Sequence, residues 1–188
     1  MSNRLFDPHT STGRCLHQFW QSLDEDRQAR AALRRAETLT GLVMVPAYHR
    51  LLHAFSTALD EQVGEGLRVH TDRNRLRLAA IGGLLAHTKR HVSVKADYCH
   101  TMAVQMAQSR ENTQSPRVSD LRFRRLLQVS DVEKLYPLLR RTLGLMDRTV
   151  DIYVMAGDIW FWGEKRRRQW AYDYYAKLQP AQRAGTAS

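Results

Sequence analysis

The chain has 188 residues, with 29 Lys and Arg against 19 Asp and Glu, and a formal charge of +10. That length supports a hydrophobic core without disulfide or metal staples, as one domain or as two small helical lobes sharing a core. No window approaches 18 uninterrupted apolar residues, which excludes a membrane-spanning helix, and the excess of positive charge favours a nucleic-acid partner. Of the 29 cations 24 are Arg. A GC-rich genome also favours Arg over Lys, so the charge carries more weight than the choice of cation, although the planar guanidinium fork suits phosphate.

Residues 1–13 are polar and contain Pro8, and they read as a flexible arm. No apolar run marks a signal peptide there. Cys15 and Cys99 stand apart without metal-knuckle spacing, which fits a reducing, cytoplasmic location. A first helix is expected from Arg14 to Leu23, with Leu16, Phe19, Trp20 and Leu23 on its apolar face. Asp24, Glu25 and Asp26 break it and suit the start of a second helix, in which Ala29, Leu33 and Ala36 oppose Arg27, Arg30 and Arg34. That helix ends near Thr38 to Gly41. Pro46 opens a third, running to Leu59. A Gly-punctuated loop, Asp60 to His70, precedes a fourth helix, Asp72 to Arg90, whose Gly82-Gly83 pair reads as a site of close helix packing.

A short helix is expected from Ala96 to Gln108, then a loop from Ser109 to Val118. In Ser119 to Gln128, Phe123, Leu126 and Leu127 share one side, and Arg122, Arg124 and Arg125 fan across the other. Ser130 and Glu133 form a capping box for Asp131 to Met146, with Arg141 opposite its apolar stripe, Arg140 at the edge, and Pro137 expected to kink or split it. Val150 to Trp162 is apolar nearly all round and reads as the central core helix or a protein interface. A last helix spans Glu164 to Leu178, and residues 180–188 read as a disordered tail. No strand is evident. The fold class is therefore all-α, about eight helices in a domain covering 14–179.

Catalytic constellations are absent. The candidate carboxylates are Asp24, Glu25 and Asp26, which look like a helix-terminus cluster, and Asp151 with Asp158, seven apart, on which nothing converges as two-metal phosphodiester cleavage requires. His49 with His53, and His87 with His91, have the i,i+4 spacing of helical metal ligands, but no third ligand announces itself, and solvated or hydrogen-bonded histidines are the better reading. No metal or cofactor is expected. Lys165 to Arg168 places cations at the unfavourable end of a helix. The nearby Trp160, Trp162, Trp170, Tyr172, Tyr174 and Tyr175 have core spacing rather than that of a stacking platform. The arginine faces remain as the functional signal. They suit holding a phosphate backbone better than reading bases, and no helix-turn-helix pair is present.

The ordered set Phe19-Trp20-Gln21-Ser22-Leu23, Arg30 to Ala36, Leu121 to Leu127, Leu138-Leu139-Arg140-Arg141, Asp158 to Gly163 and Trp170-Ala171-Tyr172 resembles the small subunit of the type I-E CRISPR Cascade effector, the CasB family. The resemblance spans Leu16 to Leu178. It implies an all-helical subunit without catalytic activity, present as two copies beside the backbone and large subunits and the guide RNA. It also implies a basic surface holding the guide RNA–target DNA hybrid and the displaced non-target strand, so that the R-loop is stabilised. By position it assigns strand-holding to Arg34, Arg35, Arg50, Arg73, Arg122, Arg124, Arg125, Arg140 and Arg141. The alternative is a free-standing basic helical DNA-binding protein, regulatory or architectural.

Overall fold

The computed structural model describes residues 5–63, 69, 71–93, 101–110, 113 and 115–184. Capping side chains set most of the helix starts. Thr10 accepts from Gly13 N–H at the head of α1 (Ser11–Glu25), and Asp26 accepts from Ala29 N–H at 2.8 Å at the head of α2 (Arg27–Arg35). Each satisfies one of the donors that a helix N-terminus leaves unpaired. Ala36 turns extended, so the second expected helix divides, and a short α3 (Leu39–Val43) starts from the Thr38 cap. Pro46 does open α4 (Pro46–Val63), which continues past Leu59 into the expected loop. The rest of that loop, 64–68 and 70, lies outside the described residues.

The centre of the molecule is α5 (Asp72–His87), capped by Thr71, with every residue from Leu78 to Ala86 buried. It packs against α2, α3 and α4, and against two later helices, α8 (Val132–Leu145) and α9 (Ile152–Trp160). A Cβ on Gly83 would lie 2.7 Å from the Tyr136 hydroxyl, and one on Gly82 would lie 2.9 Å from Leu51, so the glycine pair is what lets α8 and α4 approach this closely. The helix ends at His87, three residues short of the expected Arg90. Arg90 and His91 instead form β1, paired in parallel with β2 (Thr149–Val150). Two residues per strand are too few for a period-2 pattern to register in the sequence.

Pro137 does not split α8, which runs unbroken from a different cap: Asp131, not Ser130, accepts from Lys134 N–H at 2.8 Å. At its C-terminus the helix closes in a Schellman turn, with Arg148 N–H donating to Leu143 O at 2.8 Å and Asp147 left-handed at φ 55°. Arg148 is left-handed too, at φ 56°, and its carbonyl accepts from Lys89 N–H. The apolar helix of the sequence is α9, buried in the core over Ile152, Met155 and the residues on to Trp160.

Of the expected short helix, α6 (Met102–Ala107) is present and 94–100 lie outside the described residues. Two carboxylates hold its start: Asp158 accepts from Met102 N–H at 2.7 Å, and Asp173 accepts from Thr101 N–H and Oγ1 at 3.0 and 2.8 Å. Asp173 belongs to α10 (Glu164–Ala184), which continues through Pro180; 185–188 lie outside the described residues. In the loop after α6, Ser109 bridges Pro116, while 111, 112 and 114 are not described. The last helix to place is α7 (Asp120–Leu127), which lays Phe123 flat on Tyr174 of α10 at 3.8 Å between ring centroids. Residues 5–13 are no loose arm. Phe6 is buried, stacked 5.8 Å from Phe55 and edge-on to Trp160, because one large apolar ring suffices to anchor a polar segment.

Candidate nucleic-acid interface

The arginines divide by what their guanidiniums already hold. Arg34, in the last turn of α2, donates Nε to Ala86 O at the end of α5, at 2.7 Å. Arg140 reaches from α8 to the end of α2, donating Nη2 to Arg34 O at 3.2 Å and Nη1 to Ala36 O at 3.5 Å, with its guanidinium 5.7 Å from the Tyr136 ring centroid. Helix C-termini leave carbonyls unpaired and carry partial negative charge, so these cations sit where the dipole favours them. Beneath them, burial and then the charges of Arg140, Arg34 and Arg148 hold the His87 imidazole down at about 4. Burial, followed by Arg30 and Arg148, likewise lowers Arg34. The fold thus gathers Arg34, Arg140 and Arg148 from three segments onto one surface. Arg35 and Arg141, their chain neighbours, are exposed and have no ion pair or hydrogen bond among the described residues.

The two-stranded sheet extends this surface. Arg90 donates Nε to Thr149 Oγ1 at 3.3 Å, next to Arg148, and Arg117 lies 3.7 Å from Asp147 on the other side of that turn. Arg110 donates to Arg117 O. Arg90, Arg110, Arg117 and Arg148 escaped the sequence reading because none lies on a helix stripe.

A separate face is built on α7. Arg124 pairs with Asp120, which also accepts from Tyr175 Oη at 2.7 Å, and Tyr175 and then Arg124 hold the Asp120 carboxyl below the usual carboxylate range. Arg122 and Arg125 are exposed without a partner among the described residues. The two remaining candidates join neither group. Arg50 pairs with Asp26 at 2.8 Å. Arg73 stands in the first turn of α5, about 21 Å along the helix axis from His87.

Other sequence candidates serve the fold. In the basic run, Arg166 pairs with buried Asp158 at 3.3 Å, Arg167 donates to Leu127 O at the end of α7, and Arg168 pairs with Glu164. Asp151 caps α9, accepting from Tyr153 and Val154 N–H. Trp160, Trp162, Trp170 and Tyr174 are buried, whereas Tyr172 and Tyr175 reach solvent. His87 and His91 do not share a helix: His91 lies in β1, its Nδ1 accepting from Ile152 N–H at 3.3 Å. Among the described residues no group of three or more His, Cys, Asp or Glu could hold a metal, and no helix is long and apolar enough to cross a membrane.

The chain has the fold of a subunit in the crystal structure of E. coli Cascade bound to a PAM-containing double-stranded DNA target. The TM-score is 0.63 at 22% identity, over 88% of this chain and 95% of that one. No curated protein matches it significantly. The family model of CRISPR-associated protein Cse2 matches residues 29–175, from α2 through α10 and so across every element that carries the arginine faces. The chain therefore belongs to the Cse2 family, the CasB small subunits of type I-E CRISPR systems.

Proposed function

We propose that this chain acts without catalysis in the cytoplasm, within a guide-RNA surveillance complex of the Cascade type, where its arginine surfaces hold the displaced non-target DNA strand and the guide–target hybrid by their phosphates. Its partners in this reading are the backbone and large subunits, a second copy of itself and the guide RNA. The observation that carries it is the convergence of Arg34, Arg140 and Arg148, with Arg35 and Arg141 beside them, on a surface where the first two spend their hydrogen bonds on helix-end carbonyls rather than on carboxylates. A guanidinium bonded to a neutral carbonyl keeps its whole charge for an incoming anion. Each phosphate neutralised releases condensed counterions, and because the exchange of duplexes in an R-loop is nearly balanced, such interactions can tip it.

Of the nine arginines assigned by resemblance, Arg34, Arg35, Arg140 and Arg141 form one strand-holding face and Arg122 and Arg125 a second. Arg124 and Arg50 already hold carboxylates and contribute less, and Arg73 makes an outlying contact. The test is recovery of the tagged full chain from its native host, with sequencing of the RNA that accompanies it. RNAs of unique spacers flanked by constant repeat fragments, arriving with larger sibling proteins, are expected. A chain recovered alone, or with genomic DNA and no such RNA, would instead support a free-standing DNA-binding protein. In single-strand binding, Arg35→Ala with Arg141→Ala should flatten the dependence of log K on log salt by up to about 1 for each phosphate that is no longer neutralised. An unchanged slope would mean that these two side chains are merely solvated.

A further inference from the structure

A cavity of about 270 Å³ opens beside the sheet, between the exit of β1, the end of α6 and the α8–β2 turn. Val92 and Met146 give it apolar walls, and Ser93, Gln105 and Gln108 give it a polar edge. Gln105 is 5% exposed, and its Oε1 accepts from Asp151 N–H at 3.1 Å, so its amide NH2 is the end left for a ligand. Arg117 also lines the cavity; its Nε is buried without a hydrogen-bond partner, and Asp147, at 3.7 Å, is beyond hydrogen-bonding distance. Arg30 and Arg167 also leave Nε buried without a partner, and the one on Arg117 is set apart by the cavity it lines. Beside it are Arg90, which donates Nε to the lining Thr149, and Arg110, which donates to Arg117 O, while Arg148 precedes Thr149 in the chain and Asp147 is the opposing charge.

A bare phosphate would suit Arg117 but would press its charge against Val92 and Met146, which disfavours it. A planar base has faces for apolar walls and for a guanidinium, and an edge for amides and a hydroxyl. We propose that this cavity takes an unpaired nucleobase turned out of a single DNA strand whose phosphates lie on Arg90, Arg110 and Arg148. The inference rests on the strand-holding reading above and adds to it the recognition of a base.

The full-length chain is titrated with fluorescent oligothymidylate and with an abasic phosphodiester chain of equal length. It should bind the base-bearing strand about fivefold or more tightly than the abasic one, as one stacked and hydrogen-bonded base warrants, with equal salt slopes. Ser93→Leu fills the cavity from its rim and Gln108→Leu removes an edge group at similar size. Each should bring the ratio towards one while leaving affinity for the abasic chain unchanged, which also shows that the variant is folded. Equal binding of both strands by the unaltered chain, or a preference that survives in both variants, overturns the base site and leaves the strand-holding reading intact. Failure to bind either strand overturns both.

Discussion

His87 shows how the basic surface acts on single residues. The Arg34, Arg140 and Arg148 charges, added to burial, hold its imidazole neutral down to about 4. An unfolded histidine takes its proton near 6.5. Between those values the unfolded state binds more protons, so His87 contributes stability above the unfolded value that is lost as pH falls towards the folded one. His87→Gln should therefore lose less stability than the unaltered chain between pH 7.5 and 4.5 in urea unfolding; parallel losses in the two proteins would show that His87 does not titrate this way. Arg34 and Arg140 also explain why the sequence could not sort its arginines. The carbonyl that engages Arg34 lies 52 residues along the chain, and those that engage Arg140 lie more than 100 away. A helical stripe records which side a residue faces, not whose carbonyl waits there.

At the scale of elements, helices with strong 3-and-4 spacing were legible, and so was Pro46 as a first residue. The short pieces were not. β1 and β2 are two residues each, and α3 follows a break that the run Ala36-Glu37-Thr38-Leu39-Thr40, without Gly or Pro, does not advertise. Asp158 was read as one of a weak pair of carboxylates, whereas the fold uses it to tie α9, α10 and α6 together through Arg166 and Met102 N–H. Burial pushes its carboxyl up to about 7, against the opposing pull of Arg166 and that N–H. With the folded value above the unfolded one, its contribution is complete below about 4 and fades as pH rises through 7, the opposite sense to His87. Asp158→Asn removes the titrating carboxyl but keeps an oxygen that can accept from Met102 N–H, so what the variant loses is the hydrogen bonding of the protonated acid, a deficit on the order of 1 kcal/mol. The deficit should be larger at pH 5 than at pH 7.5, and a deficit that grows with pH would contradict the burial-driven shift. Close packing of α5 predicts a second cost. Gly83→Ala forces a methyl group onto Tyr136 and Leu42, which should lower stability by about 1 to 3 kcal/mol despite the better helix propensity of Ala; a stabilised variant would mean that α8 can give way.

Among the described residues, arginines that hold no carboxylate gather in two groups, one on α2, α8 and the sheet and one on α7, which α10 braces. Arg122 and Arg125 share no partner with Arg90 and Arg148, so their effects should be independent. Removing both pairs by alanine should reduce the salt slope of strand binding by the sum of the two separate reductions. A combined reduction no larger than either alone would mean that a strand uses only one surface at a time. The helix-end carbonyls add something that charge alone does not. Fixing an arginine side chain costs up to about 2 kcal/mol of rotamer freedom, and for Arg34 and Arg140 that ordering takes place when the chain folds. In the strand-holding proposal, an arriving strand would meet guanidiniums already aimed, and part of the entropy of recognition would have moved out of the binding step and into the fold.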